Sequence, residues 1–234
     1  MPKSSALVSR PVVGVPPVGR SARRDVPGDS RRASLPLAIP EIDALLDGGL
    51  PYGAITEVFG DISSGRTTVA HALVSAATRA GEFVAWVDLP NSLDPDSART
   101  AGVSLERVLW ISPVDRVTAF RAVEHVLDAG GFRLVVLDLD DPLQSRSLMP
   151  VSAWLRVART AVRCDAAIVV LSTSHIEGAF ATIALEVRSG RRAFVGEGGS
   201  SPIFEGATNS IYLRKYKLGP PRAVPVDFFA STRA

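Results

Sequence analysis

Residues 59–73 read FGDISSGRTTVAHAL and resemble a phosphate-binding loop in all but one position. Such a loop follows the pattern G-x-x-x-x-G-K-[ST]; Gly60, Gly65 and Thr67 occupy their places, and Arg66 stands where the lysine belongs. An apolar, β-branched segment precedes the loop and a helical pattern follows it. Backbone N–H groups and a helix N-terminus placed in this way present partial positive charge to an anion. The stretch therefore predicts a phosphate-loop fold.

The rest of the chain alternates short apolar runs with helical patterns. Strands are predicted at AITEVFG (54–60), EFVAWVD (82–88), RVLWIS (107–112), FRLVVLD (132–138) and AAIVVLS (166–172), and helices at residues 67–81, around 94–102, along one face carrying Val117, Phe120, Val123 and Leu127, and at 151–163. Continuous apolar strands separated by helices indicate an α/β fold, with a mostly parallel sheet covered by helices on both faces. Beyond residue 180, TIALEVRS, RRAFVGE, NSIYLRKYK and AVPVDFF read as four strands without intervening helices, so an antiparallel C-terminal extension is expected.

Composition limits the organisation to one folded domain with a tail. The chain has 234 residues, 46% of them hydrophobic, which suits a single substantial core. Cys164 is the sole cysteine, so an intrachain disulfide and a metal site built on thiolates are excluded. Apolar runs such as LVVL are far shorter than the roughly 20 residues of a membrane helix. A soluble protein in a reducing, cytoplasmic compartment, with no membrane partner, is expected.

The first 34 residues differ in composition from the remainder. They contain seven basic residues, among them Arg23, Arg24, Arg31 and Arg32, against two aspartates, a net charge of +5, whereas the whole chain carries +2. Residues 35–234 therefore carry −3. Seven of the 17 prolines fall within the first 40 residues, which favours a disordered basic arm over a packed element. Its arginines make it a DNA-binding candidate, and an organellar targeting segment is the alternative.

Four segments resemble the bacterial recombinase RecA. They are GGLPYGAITEVFGDISSGRTT (48–68), FVAWVDLPNSLDPDSARTAGV (83–103), RLVVLDLDDPL (133–143) and YLRKYKLGPP (212–221). The similarity covers about residues 36–229 and is weakest between 175 and 208. It implies a RecA-like core domain over residues 35–234, with the tail over residues 1–34. The tail is not similar to the helix and strand through which that recombinase joins its neighbour in a filament.

The resemblance implies positions for a nucleotide site. The residues carried over are Gly60, Ser64, Gly65, Arg66, Thr67, Thr68 and Asp138, with Thr67 and Asp138 holding Mg²⁺ if ATP binds. Asp138 has a second interpretation, as a residue that merely ends its strand. Asp140 and Asp141 are either substitutes for a catalytic base or the start of a turn before Pro142.

The chain departs from the family pattern mainly at the positions that bind and hydrolyse the nucleotide. The glutamate that orients water two positions after the aspartate of WVD is replaced by Pro90, which has no carboxylate. The tyrosine that stacks on adenine is replaced by Ser97, and the glutamine that reports nucleotide state falls near Thr173 and Ser174. Arginine at position 66 attracts phosphate, but its broad planar group does not reproduce the lysine geometry. The site is therefore expected to bind ATP and Mg²⁺ weakly, if at all, and to hydrolyse ATP very slowly.

Two further basic groups are candidate contacts. Lys215 and Lys217 match the lysines that reach a neighbouring subunit's nucleotide in the recombinase, or are simply alternate residues on an exposed strand. Arg188, Arg191 and Arg192 lie in the glycine-rich stretch RSGRRAFVGEGGSS, interpreted as a DNA-contacting loop or a solvated hairpin. His71, His125 and His175 have no partners at metal-ligand spacing and are expected to be surface or satisfied core residues.

A RecA-like core with an eroded nucleotide site is similar to the ImuA-type accessory proteins of translesion synthesis. This resemblance implies a DNA-damage-response protein with little or no catalysis. Its expected partners are RecA, accessory proteins of a translesion polymerase, or single-stranded DNA. The alternatives are a divergent DNA-dependent ATPase with recombinase activity, and an ATP-sensing regulator outside DNA repair.

Overall fold

The computed structural model describes residues 33–140, 149–176, 180–195, 203–219 and 226–231. The elements in chain order are β1 (Ser34–Leu35), α1 (Pro40–Leu45), β2 (Leu50–Pro51), β3 (Ile55–Phe59), α2 (Arg66–Arg79), β4 (Phe83–Asp88), α3 (Pro95–Thr100), β5 (Val108–Ile111), α4 (Arg116–Ala129), β6 (Phe132–Asp138), α5 (Val151–Cys164), β7 (Ala167–Ser172), β8 (Ile183–Val195), β9 (Ile203–Tyr216) and β10 (Val226–Ser231). Residues 1–32 of the basic tail lie outside the described ranges, and these include Arg23, Arg24, Arg31 and Arg32. Asp141 also lies outside them.

The main sheet has eight strands in the order β10-β9-β8-β3-β7-β6-β4-β5. Every pair from β8 to β5 is parallel, whereas β9 pairs antiparallel with both β8 and β10. The strands β3, β4, β6 and β7 read as apolar runs because both of their faces are covered. The predicted mostly parallel α/β sheet with an antiparallel C-terminal extension is confirmed.

A hydrophobic core lies on each face of the sheet. On one face α2 buries Val69, Leu73 and Val74 against alternate residues of the central strands. On the other face α4 and α5 pack together, with Phe120 and Trp154 edge to face at 4.7 Å between ring centroids. The parallel strands are thereby fixed on both sides, and their carboxyl ends form one rigid edge.

The structure corrects two details of the predicted pattern. TIALEVRS and RRAFV are not separate strands but one strand, β8, whose register with β9 shifts between Ser189 and Arg192. A Cβ on Gly190 would lie 2.5 Å from the carbonyl oxygen of Thr208, so the glycine allows the two strands to stay paired through the irregularity. Val117 is 50% exposed and is not among the buried residues of α4, which include Phe120, Val123 and Leu127.

No helix in the described ranges combines the length and the apolar character needed to cross a membrane.

Candidate functional site: a phosphate loop at the carboxyl edge of the sheet

The loop between β3 and α2 has the backbone conformation that its glycines predict. Gly65 is left-handed, with φ of 101°, and immediately precedes Arg66, the first residue of α2. Ser63 also has positive φ, 63°, and Gly60 has φ of 156°. A left-handed residue costs little only when it is glycine, so this turn allows the chain to enter the helix with its N–H groups facing the loop.

Strands β8 and β9 pack directly against this loop. A Cβ on Gly60 would overlap the carbonyl oxygen of Val187 on β8. A Cβ on Gly65 would lie 2.9 Å from Nδ2 of Asn209, a residue of β9 that is only 3% exposed. Both glycines are therefore required by close packing as well as by φ. Asn209 had no signal in the sequence, because its proximity comes from a strand 144 positions later in the chain.

Two buried hydroxyl groups at this edge have no hydrogen-bond partner in the part of the chain that the structure describes. They are Oγ of Ser64, in the loop, and Oγ of Ser172, at the end of β7. Ser64 is 2% exposed, and Gly60 N donates to the carbonyl oxygen of Ser172 at 3.3 Å. A buried polar group without a partner is costly. The glycine-lined turn, the helix start and Ser64 together fit a bound phosphate group, which Thr67 and Thr68 would flank from the exposed first turn of α2.

Arg66 does not point into solvent. Its Nη1 contacts Oδ2 of Asp140, and the Arg66 side chain is 9% exposed against 20% for Asp140. Asp140 lies two residues beyond the end of β6, and its N–H donates to Oδ1 of Asp138 at 3.1 Å. The contact links the loop directly to the end of β6. The cation that would face a phosphate is thus engaged by an internal carboxylate.

Asp138 is a buried carboxylate at the same edge, and the N–H of Asp140 is the donor that the structure describes for it. It is 7% exposed, and burial is the main cause that raises its pKa to about 7, with Asp140 and Asp88 adding to the rise. The N–H of Asp140 and the charge of Arg66 act in the opposite direction. Asp138 therefore exchanges its proton near neutral pH in the absence of another cation.

Asp88 has a structural role at the same edge. It accepts hydrogen bonds from the N–H groups of Ser92, at 3.1 Å, and Leu93, at 2.9 Å, and from Nε1 of Trp110 at 3.0 Å. These bonds shape the turn that carries Pro90. Pro90 is partly exposed and brings no acid to the site.

The remaining predicted contacts lie on neighbouring elements. Ser97 is exposed in the first turn of α3, where its N–H donates to the N-capping carboxylate of Asp94 at 3.2 Å. Thr173 and Ser174 are exposed just after β7. The small side chain of Ser97 offers no aromatic surface for a base.

A buried carboxylate escaped the sequence prediction. Glu57, in the middle of β3, is fully buried and accepts from the N–H of Ile176 at 2.6 Å, while its Oε2 lies 2.8 Å from Nδ1 of His175. Burial is the main cause that raises the pKa of Glu57, and the charges of His175 and Lys215 oppose it. The signal was present, because a charged residue inside the apolar run AITEVFG needs a partner. Glu57 ties the segment after β7 to the central strand.

Lys215 and Lys217 lie away from the phosphate loop. Lys215 pairs with Ala184, which pairs in turn with Glu57, and the N–H of Lys217 donates to Thr182 at 3.0 Å, level with the start of β3. Counted along β3, the loop begins three residues beyond the level of Lys215 and five beyond that of Lys217, about 10 and about 16 Å at the rise of a strand. Burial is the main cause that lowers the pKa of Lys215, with Lys217 adding to it. Lys217 therefore lies level with the amino end of β3 and Lys215 level with its middle, whereas the loop follows its carboxyl end.

The arginines of the predicted DNA-contacting loop are part of β8. Arg188 pairs with Glu186 at 2.8 Å and lies 4.6 Å from the ring centroid of Tyr212, and Arg214 lies 5.1 Å from the same centroid. Arg214 also binds Glu186. Arg191 and Arg192 are exposed. Residues 188–195 thus lie in a strand rather than a loop, in keeping with the hairpin interpretation, and Arg188 is engaged within the fold. Contact of these arginines with DNA stays a prediction.

The mostly parallel sheet and the glycine turn before α2 define an α/β core with a phosphate loop, and similarity to known proteins identifies its family. The family described as RecA N-terminal domain matches residues 32–149, which is half of the chain. The chain therefore belongs to the RecA family.

Curated relatives agree with this assignment. Protein RecA from a Nocardioides species is 38% identical over 116 residues, covering 47% of this chain and 33% of the relative. Protein RecA from Deinococcus radiodurans is 39% identical over 95 residues, covering 41% of this chain and 26% of the relative. The chain thus spans about a third or less of the length of these relatives.

Proposed function

We propose that this chain is an accessory member of the RecA family that acts in the DNA-damage response by binding, with little or no ATP hydrolysis. Its partners would be a RecA recombinase, components of a translesion polymerase similar to those served by ImuA-type proteins, or single-stranded DNA. The observation that carries the proposal is that Arg66, in the lysine position, is bonded to Asp140, while Pro90 stands where a water-orienting acid would be.

The hydrogen bonds of Asp88 argue against its use as a substitute base. Asp88 accepts three hydrogen bonds, so its lone pairs are largely occupied. Asp140 contacts Arg66, and Asp138 has a pKa raised to about 7. A general base must hold a free acceptor within reach of the attacking water. Asp88 does not meet that requirement. Asp138 and Asp140 are not excluded in this way, because Oδ1 of Asp140 has no described partner and a pKa near 7 suits a general base, so the low turnover expected here rests on Pro90 and on the engagement of Arg66.

The site retains features that favour nucleotide binding. The N–H groups of the loop and Ser64 Oγ would hold phosphate, and Thr67 and Asp138 would hold Mg²⁺ when Asp138 is ionised. A bound Mg²⁺ would neutralise phosphate charge. These features also support the alternative function, a divergent DNA-dependent ATPase, and a third one, an ATP-sensing regulator outside DNA repair.

ATP turnover with single-stranded DNA separates binding from catalysis. We expect the wild-type protein to be at background, because loss of the base and of the lysine together costs several orders of magnitude in rate. Pro90→Glu with Arg66→Lys should raise the rate above that of either single variant. Turnover by the wild type comparable to that of an active RecA would favour the ATPase alternative.

The partner is tested by recovery from DNA-damaged cells. The chain would be compared with and without residues 1–34, so that tail-dependent and core-dependent partners are distinguished. Recovery of neither recombinase nor polymerase components would favour the third function.

The position of Lys215 and Lys217 supports a specific mode of action, capping of a recombinase filament. A head-to-tail filament grows only when each subunit offers two complementary faces. Here the two lysines are present, and the phosphate site is altered at Arg66, Pro90 and Ser97. A molecule of this kind would dock onto the nucleotide face of an active subunit and offer no competent face to the next.

A further inference from the structure

The contact between Arg66 and Asp140 joins the two segments that would surround a bound phosphate. Arg66 opens α2, and Asp140 follows β6, 74 residues later. Asp140 Oδ2 accepts from Arg66, whereas its Oδ1 is buried and has no hydrogen-bond partner among the described residues. The carboxylate is therefore only half satisfied by its present position.

The phosphate loop itself contains a buried hydroxyl group that lacks a described hydrogen-bond partner. Ser64 is 2% exposed, and its Oγ lacks a partner in the described part of the chain. The glycine turn around it has no room for added side-chain atoms, because Val187 and Asn209 close it from β8 and β9. A site of fixed shape with an unsatisfied donor is thus present, while its cation is bonded elsewhere.

We propose that Asp140 is an internal competitor of the ligand, holding Arg66 in place of a phosphate group, so that it sets the affinity of the loop for polyphosphate anions. A guanidinium presents a planar set of N–H donors that matches a carboxylate and a phosphate equally well. The inference rests on the proposed nucleotide site and specifies how that site is restrained.

The competition has a defined energetic consequence. A ligand meets a competent loop only in the fraction of molecules in which Arg66 has left Asp140, and its apparent affinity falls by that fraction. A loop that is competent in about a tenth of the molecules binds about tenfold more weakly than a permanently open one. Asp140→Asn keeps the N–H that donates to Asp138 and removes the charge that holds Arg66.

The test is a double-mutant cycle on the full chain, with ATP binding measured by calorimetry at constant ionic strength. The four proteins are the wild type, Asp140→Asn, Arg66→Gln and the double variant. We expect Asp140→Asn to bind ATP about tenfold or more tightly than the wild type. In the Arg66→Gln background the same substitution should have little effect, because the competitor acts through Arg66.

A charge-matched control separates competition from general electrostatics. Asp61→Asn removes one negative charge from the exposed tip of the same loop, and Asp61 has no described contact with Arg66. Its effect on affinity should be much smaller than that of Asp140→Asn and equal in both Arg66 backgrounds.

Several results would overturn the proposal. They are equal affinities of wild type and Asp140→Asn, the same gain in the Arg66→Gln background, or no ATP binding by any of the four proteins. If Asp140→Asn does not fold, Asp140→Ser replaces it, and failure of both to fold would make Asp140 a structural residue and reject the competition. Rapid ATP turnover by the wild type would contradict the proposed function, yet the cycle would still decide the role of Asp140.

Discussion

Asp88 and Asp138 lie directly opposite each other at the carboxyl ends of β4 and β6, but their hydrogen-bond partners differ. Asp88 accepts three hydrogen bonds, from two backbone N–H groups and the indole of Trp110. Among the described donors, the N–H of Asp140 alone bonds to Asp138, whose pKa is raised to about 7. The same residue type at equivalent register thus serves as a turn anchor on one strand and as a proton-exchanging group on the next.

Replacing Asp138 should change how stability depends on pH. The folded state keeps a proton on Asp138 that the unfolded chain, with the ordinary value of 3.8, has already released. The contribution of Asp138 to the free energy of unfolding therefore falls as pH rises from about 4 to about 7. Above that range its contribution is constant. Asp138→Asn should be more stable than the wild type at pH 8, on the order of 2 kcal/mol, and the difference should shrink towards pH 5.

Urea unfolding at pH 5 and pH 8 measures this difference. Asp61→Asn, at an exposed position of the same loop, is the charge-matched control and should follow the wild-type pH dependence. An Asp138→Asn curve parallel to that of the wild type would show that the carboxyl group is ionised throughout.

The pair formed by Glu57 and His175 should stabilise the segment after β7. His175→Ala leaves a fully buried carboxylate with the N–H of Ile176 as its remaining hydrogen-bond donor, at a cost of about 1–3 kcal/mol. His125→Ala, at an exposed position of α4, is the control and should be nearly neutral. In the Glu57→Gln background His175→Ala should cost less, because no charge is left without its partner. Equal costs in both backgrounds would contradict this role.

Because Ser97 stands where the family has an aromatic residue that stacks on adenine, the affinity of the site should not depend on the base of the nucleotide. Stacking on an aromatic ring contributes about 1–3 kcal/mol per base, and Ser97 is small and bonded to Asp94. Tripolyphosphate should therefore compete for the loop about as well as ATP does, whereas Ser97→Tyr should favour ATP. Competition calorimetry measures the ratio, and a large preference of the wild type for ATP would place a base-binding surface elsewhere.

Affinity for single-stranded DNA should reside mainly in the tail. Residues 35–234 carry −3, and attraction to a phosphate backbone needs positive charge. Affinity should fall steeply with salt, and deletion of residues 1–34 should flatten that slope. Arg191→Ala with Arg192→Ala should have a smaller effect than the deletion. A slope unchanged by the deletion would assign DNA binding to the core.

The sequence predicted most of the parallel sheet and the loop, but not the contacts that determine the site. Strands β3, β4, β6 and β7 are long apolar runs, and the glycines of the loop specify their own turn, so local pattern suffices for both. The contacts of Arg66 with Asp140 and of Gly65 with Asn209 depend on which strands become neighbours. In the sequence β8 resembles two strands, TIALEVRS and RRAFVGE, because the register shift between Ser189 and Arg192 has the composition of a turn.

The direct test of the central proposal is filament length and strand exchange by an active RecA in the presence of increasing amounts of this protein. We expect the wild type to shorten filaments and inhibit exchange well below equimolar ratios, because one capped end stops many subunits. Lys215→Ala with Lys217→Ala should lose this effect, while Arg121→Ala with Arg159→Ala, two exposed positions on α4 and α5, should retain it. Inhibition by the lysine variant equal to that of the wild type, or no shortening by either protein, would contradict the capping account.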